Sequence, residues 1–194
     1  MMKKKILFRG VGTAVVTPFS DGKIDYPALF AIIEAQIAAG IDALVVGGTT
    51  GEAATLSDRE RYELYTRAID HIGGRCKVLL GTGTNDTRKA CEHTRVSSSL
   101  GCDGVLVVTP YYNKGTESGL IRHYLGIADA SDVPILLYNV PSRTGVNLSL
   151  PVLEKLAACE NIVGIKEASD SADRLLSLSA FGEDLALYAG NDSQ

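Results

Sequence analysis

The sequence predicts an α/β chain of the (β/α)8 TIM-barrel class, and three observations carry that expectation. Short apolar runs beginning near residues 44, 78, 105, 135, 162 and 185 alternate with segments of helical periodicity. The runs are apolar throughout, as parallel strands covered on both faces are. Polar residues able to do chemistry (Thr49, Thr50, Tyr111, Tyr112, Tyr138, Lys166 and Asn191) fall at or just past strand C-termini. Strict βα alternation also allows an open doubly wound sheet. An open sheet concentrates its chemistry at one switch point. A barrel gathers it from many strand ends onto one face, and that fits better.

The elements follow in order. Gly12–Pro18 reads as a first strand, stopped by Pro18, and Asp21-Gly22 as a turn. Asp25 is placed to cap a helix with Pro27 in its first turn and Leu29, Ile32, Ile33 and Ile37 on one face; Gly40 ends it. Ala43–Gly47 is strand two, and Gly48-Thr49-Thr50-Gly51-Glu52 is a loop. Ser57 and Glu60 have capping-box spacing before a helix with a Tyr62, Tyr65, Ile69 stripe, closed by Gly73-Gly74. Lys77–Gly81 is strand three, with Thr84-Asn85-Asp86 leading into helix three. Gly104–Val108 is strand four, followed by Pro110 and a helix carrying Leu120, Ile121, Tyr124, Leu125 and Ala128. Pro134–Tyr138 is strand five, and Ser149 caps helix five with Pro151 in its first turn. Ile162–Ile165 is strand six, a helix with Leu175, Leu176 and Leu178 follows, and Leu185–Ala189 is strand seven.

The sequence has 194 residues and closes soon after strand seven, at Asn191-Asp192-Ser193-Gln194. Barrels of this type run to about 250 residues, roughly 200 at the short extreme. The expectation is one barrel domain over 1–194 that lacks strand eight, a fragment of a longer protein with two unpaired sheet edges. Hydrophobic residues make up 45% of the chain, enough for a folded core. A net charge of −4 argues against nucleic acid as the main partner. The apolar run after the basic N-terminal residues is too short for a signal peptide, and no stretch is long enough to span a bilayer. Cys76, Cys91, Cys102 and Cys159 lack zinc-site spacing and read as buried reduced thiols, which suits the cytoplasm. His71, His93 and His123 all fall in helices and read as packing or surface groups.

Ile162-Val163-Gly164-Ile165-Lys166 runs an apolar strand straight into a lysine. Two readings fit: the strand ends and Lys166 reaches water, or the amine sits in an apolar pocket. Desolvation disfavours a charged amine and makes it available to attack a carbonyl. The Thr49-Thr50 loop lacks the ending of a phosphate-binding loop, and Gly81-Thr82-Gly83 lacks the third glycine of a dinucleotide fingerprint. Hydroxyls and backbone N–H groups between glycines suit a small carboxylate. Tyr112 and Tyr138, at the ends of different strands, carry hydroxyls able to pass a proton. Arg143, in a proline-stiffened loop, carries a guanidinium suited to a carboxylate.

Gly48–Glu52, Thr109–Asn113, Tyr138–Gly145 and Gly164–Ala168 together resemble the dihydrodipicolinate synthase (4-hydroxy-tetrahydrodipicolinate synthase) family over nearly the whole chain. The resemblance implies a class I aldolase on a (β/α)8 barrel, with a helical C-terminal domain and a homotetramer built as a dimer of dimers. Lys166 then matches the lysine that forms a Schiff base with pyruvate, and Tyr138 the general acid/base on that imine. Thr49 and Tyr112 match the rest of a hydroxyl relay, and Tyr111 the tyrosine that crosses the tight-dimer interface. Thr50 matches the threonine that holds the pyruvate carboxylate, and Arg143 the arginine that recognises L-aspartate 4-semialdehyde. Gly190 sits in the matching glycine-acidic loop. No metal or organic cofactor is implied. The implied activity is lysine and diaminopimelate synthesis.

Sibling lyases such as N-acetylneuraminate lyase generally carry Ser-Thr at Thr49-Thr50 and lack an arginine at Arg143. A sibling pyruvate-dependent aldolase and a catalytically incompetent fragment of the synthase remain the alternatives. At the positions of the family's lysine-feedback site stand Asp58, Arg61 and Lys89, with Asn85 and Tyr111 retained. Lys89 would repel the ammonium of lysine, so weak or no lysine feedback is expected; submillimolar inhibition of the full-length protein would contradict this.

Overall fold

The structure is a computed structural model that describes residue 4 and residues 6–191. Residues 1–3 and 5 and the last residues 192–194 lie outside the described part. Seven strands form one sheet: β1 (Gly12–Ala14), β2 (Ala43–Val46), β3 (Lys77–Gly81), β4 (Gly104–Val108), β5 (Ile135–Asn139), β6 (Ile162–Glu167) and β7 (Ala186–Ala189). Neighbours in the sheet are neighbours in sequence, and every pair is parallel. Between them lie α1 (Tyr26–Ala38), α2 (Asp58–Ile72), α3 (Thr87–Ser98), α4 (Glu117–Asp129), α5 (Leu150–Ala157) and α6 (Ala172–Ser179).

Two separate cores decide between barrel and open sheet. Leu44, Val46, Val78, Leu80, Val105, Val107, Ile135 and Leu137 pack outward against the helices. The alternate residues Val45, Leu79, Leu106, Leu136 and Val163 meet one another in a second cluster with Leu7, and no helix contributes to it. A doubly wound sheet carries helices on both faces. Here the sheet curls so that one face packs on itself, as the interior of a barrel does.

Local chemistry sets the element ends as expected. Asp25 Oδ1 accepts from Ala28 N at 3.0 Å. Ser57 and Glu60 form the reciprocal capping box. Asp86 and Ser149 cap α3 and α5. Gly73 closes α2 at φ 57°, a left-handed position that glycine occupies without strain.

Other expectations change. β1 ends at Ala14 rather than Pro18, although Val15 N still donates to Val45 O at 2.9 Å. Asp21-Gly22 is the turn of a short hairpin, Phe19–Ser20 against Lys23–Ile24, with positive φ at both turn residues. Leu176 does not join the α6 stripe; it is 74% exposed while Leu178 is buried. Only Cys102 is fully buried; Cys76, Cys91 and Cys159 are half-buried, and all four are free thiols.

The N-terminal segment pins the sheet from inside. The Lys4 ammonium donates to Ala157 O, Cys159 O and Ile162 O, which caps the carbonyl end of α5. Phe8 stacks on Tyr188 of β7 at 4.5 Å between ring centroids, and the Tyr188 hydroxyl donates to Phe8 O at 2.8 Å.

Candidate active site

The C-terminal ends of the strands are brought together by close backbone approach. A Cβ at Gly81 would lie 2.1 Å from Gly47 O, so only glycine lets β3 pass β2 there. Tyr65 is buried and its hydroxyl donates to Gly81 O at 2.6 Å. The Thr49-Thr50 loop is tied down by Thr17 Oγ1, which donates to Gly51 O at 2.7 Å.

Tyr138 of β5, Lys166 of β6 and Tyr188 of β7 are register partners, so their side chains share the concave face. The Lys166 Nζ lies over the Tyr138 ring, 4.7 Å from its centroid. A cation is attracted by the face of an aromatic ring at this distance. Lys166 is half-buried and Tyr138 is 8% exposed. Burial pushes the Tyr138 hydroxyl pKa up, and the Arg143 charge works against that shift.

A cavity of about 390 Å³ opens beside this rung. Thr49, Tyr111, Tyr138 and Arg143 line it, along with Arg61 and His93. Its volume suits a small molecule. Arg143 is exposed and sits in a single turn of helix, Pro141–Thr144, where the sequence suggested a loop. Lys166 is the next side chain past Tyr138 on the rung and is not part of the cavity wall.

Three expected site residues stand elsewhere. Thr50 is exposed and outside the lining. Tyr112 is 89% exposed and held at φ 72°. A bulky residue in that left-handed region stores strain of about 1–3 kcal/mol. It is Tyr112 that projects from the chain, whereas Tyr111 turns into the cavity. Gly190 has a packing role: its N–H donates to Glu167 O at 2.7 Å, and a Cβ there would lie 2.8 Å from Ala168 Cβ.

His93 was not expected at the site. Burial, then the Arg61 charge, pushes its pKa down, and its Nδ1 lies 3.1 Å from the Tyr62 hydroxyl. Lys89 is not a bare cation. Its Nζ lies 3.2 Å from Asp58 Oδ2, and of Lys89 and Arg61 it is Arg61 that lines the cavity, its Nη2 donating to Ala53 O at 2.7 Å. Only the i, i+4 spacing of Asp58 and Tyr62 on α2 and of Lys89 and His93 on α3 hinted at these contacts. Among the described residues, no group of three or more His, Cys, Asp or Glu side chains is arranged to hold a metal ion.

Fold and site together define a (β/α)-barrel protein with polar groups converging on the C-terminal face of the sheet, where barrel enzymes carry their active sites. The family model for the dihydrodipicolinate synthetase family matches residues 7–194, and the chain belongs to that family. It is 46% identical to the 4-hydroxy-tetrahydrodipicolinate synthase of Alkaliphilus oremlandii over 97% of this chain and 65% of that protein. The same enzyme of Clostridium novyi is 46% identical over 97% of this chain and 64% of its own length. The dihydrodipicolinate synthase of Aquifex aeolicus superposes with a TM-score of 0.93 at 43% identity, over 96% of this chain and 64% of that one. That of Acinetobacter baumannii, solved with pyruvate, gives 0.92 at 44% identity, over 94% and 64%. The chain thus spans about 65% of the length of the curated relatives it matches.

Proposed function

We infer that the full-length protein condenses pyruvate with L-aspartate 4-semialdehyde to 4-hydroxy-tetrahydrodipicolinate, a lyase-class reaction of lysine and diaminopimelate synthesis. One observation carries the reading: Lys166 and Tyr138 on one rung, the amine over the ring, at the edge of a cavity that Thr49 and Arg143 line. In its neutral form Lys166 attacks the ketone of pyruvate, and loss of water leaves an imine. Tyr138 passes the proton, with Thr49 next in the relay. The imine loses a methyl proton and becomes an enamine, whose carbon attacks the aldehyde. Arg143 grips the second substrate's carboxylate, and the substrate's amine displaces Lys166 and closes the ring. The reaction needs no metal or organic cofactor.

Thr50, next to Thr49 in the same loop, holds the pyruvate carboxylate, and Gly190 shapes the floor beside it. Tyr112 enters the relay from a second copy, because its exposure carries it away from its own cavity. A cytoplasmic homotetramer is the assembly this reading favours. Among the described residues no helix is long and apolar enough to cross a membrane.

Borohydride reduction in the presence of pyruvate tests the reading. A stable added mass mapped to Lys166 is the expected result. No adduct in a folded sample of the chain, and none in a full-length version, overturns it. An adduct in the full-length version alone identifies the chain as an incompetent fragment.

A further inference from the structure

One residue beyond the Tyr138–Lys166 rung, Asn139 and Glu167 are register partners on the opposite, convex face. Both are 0% exposed. Asn139 Nδ2 donates to Glu167 Oε1 and Oε2 at 2.9 and 3.0 Å and to Asn147 Oδ1 at 2.8 Å. Leu148 N donates to Asn139 Oδ1 at 3.1 Å. Glu167 also accepts from Ser169 N at 2.9 Å and from Arg174 Nε at 2.8 Å. Arg174 reaches in from α6 and donates through Nη2 to Leu148 O at 2.5 Å.

We propose that Glu167 and Arg174 form a charge-balanced clamp behind the lysine, which fixes the register of the reactive rung and stops the neighbouring carboxylate from stabilising the Lys166 ammonium. This rests on Lys166 being the reactive amine of the proposed function. Register needs a clamp here, because the β5–β6 ladder shifts between Ile135 and Leu136. A one-residue slip of either strand would send Tyr138 or Lys166 to the helix side and separate the pair. The charge argument follows from burial. A carboxylate out of water acts over a longer range than an exposed one, and Arg174 Nε opposes it at 2.8 Å.

Other charged groups are placed differently. On the concave side, Tyr138 from β5 and Tyr188 from β7 flank Lys166, the Tyr188 hydroxyl is committed to Phe8 O, and Arg143 follows on the turn after β5. On the convex side, Asp170 and Asp173 are exposed, and Asp170 accepts from Asn191 Nδ2 at 3.0 Å. Neither aspartate is buried with the pair.

Competitive acetylation with acetic anhydride, read by peptide mass spectrometry across pH, follows Lys166 against Lys77 and Lys155 without any substrate. Arg174→Met leaves the carboxylate uncompensated, so the Lys166 midpoint should move alkaline by about 0.5–1 pH unit. Glu167→Gln leaves the guanidinium uncompensated, so the midpoint should move acid by a similar amount. The double variant should return close to the wild type. A merely structural role would move both single variants the same way. Equal or parallel midpoints in folded variants overturn the proposal. If Arg174→Met does not fold, Glu167→Gln decides alone: an acid shift supports the clamp, and any other result overturns it. The pyruvate–borohydride adduct, read on the unaltered chain, reports separately on the proposed function.

Discussion

On the concave face of β5 and β6, a half-buried lysine lies over a tyrosine ring at the edge of a cavity. On the convex face one residue further along, an asparagine and a glutamate are wholly buried and hydrogen-bonded to backbone and to an arginine. The two pairs share strands and register but not solvent. A buried charge keeps its place only when paired and hydrogen-bonded, so the convex pair is built for rigidity. The concave pair borders a cavity of about 390 Å³, so its polar atoms stand where a small molecule could reach them. Side chains one residue apart along the backbone thus face different surroundings, by the period-two alternation of a strand.

Substitutions on the two faces should separate chemistry from stability, and the largest effect belongs to the concave face. Lys166→Ala should abolish the pyruvate–borohydride adduct entirely while leaving the unfolding midpoint close to that of the unaltered chain. A large drop in the midpoint would break the contrast. Tyr138→Phe should slow imine formation by roughly 10²–10⁴-fold, the range for loss of a general acid/base, read from trapping time courses. On the convex face, Glu167→Ala leaves the largely buried Arg174 without its partner and should cost roughly 3–5 kcal/mol in denaturant unfolding.

A buried histidine away from the site gives the smallest effect. Burial pushes the His123 pKa down to about 4, and its Nδ1 lies 2.8 Å from Thr87 Oγ1. The unfolded chain takes up this proton near 6.5, so the neutral imidazole favours the folded state above that pH. Stability should fall by about 2–3 kcal/mol as pH drops from about 6.5 to 4, and His123→Gln should flatten that limb. An unchanged limb in the variant would assign the slope to other groups.

Much of the fold was legible because its signals are local. The capping box at Ser57 and Glu60 acts within one turn of α2, and apolar runs such as Val78-Leu79-Leu80 mark strands buried on both faces. The placement of site candidates was legible in part. Thr49, Tyr138 and Arg143 line the cavity and Lys166 stands beside Tyr138, while Thr50 lies outside the lining, Tyr112 is exposed and Gly190 packs against Glu167 and Ala168. His93 went unnoticed because a histidine within a helix carries no mark of what lies opposite.

The sequence by itself determined the order of the elements, their caps and the strand ends that carry polar groups. Each depends on residues a turn or a strand apart. Only the tertiary structure decided that the sheet curls onto Leu7, that Lys89 meets Asp58, and that Arg174 closes on Glu167 behind the lysine. Those contacts join segments that the chain spacing does not relate, and their geometry exists only once the parallel strands have brought the loops and helices together.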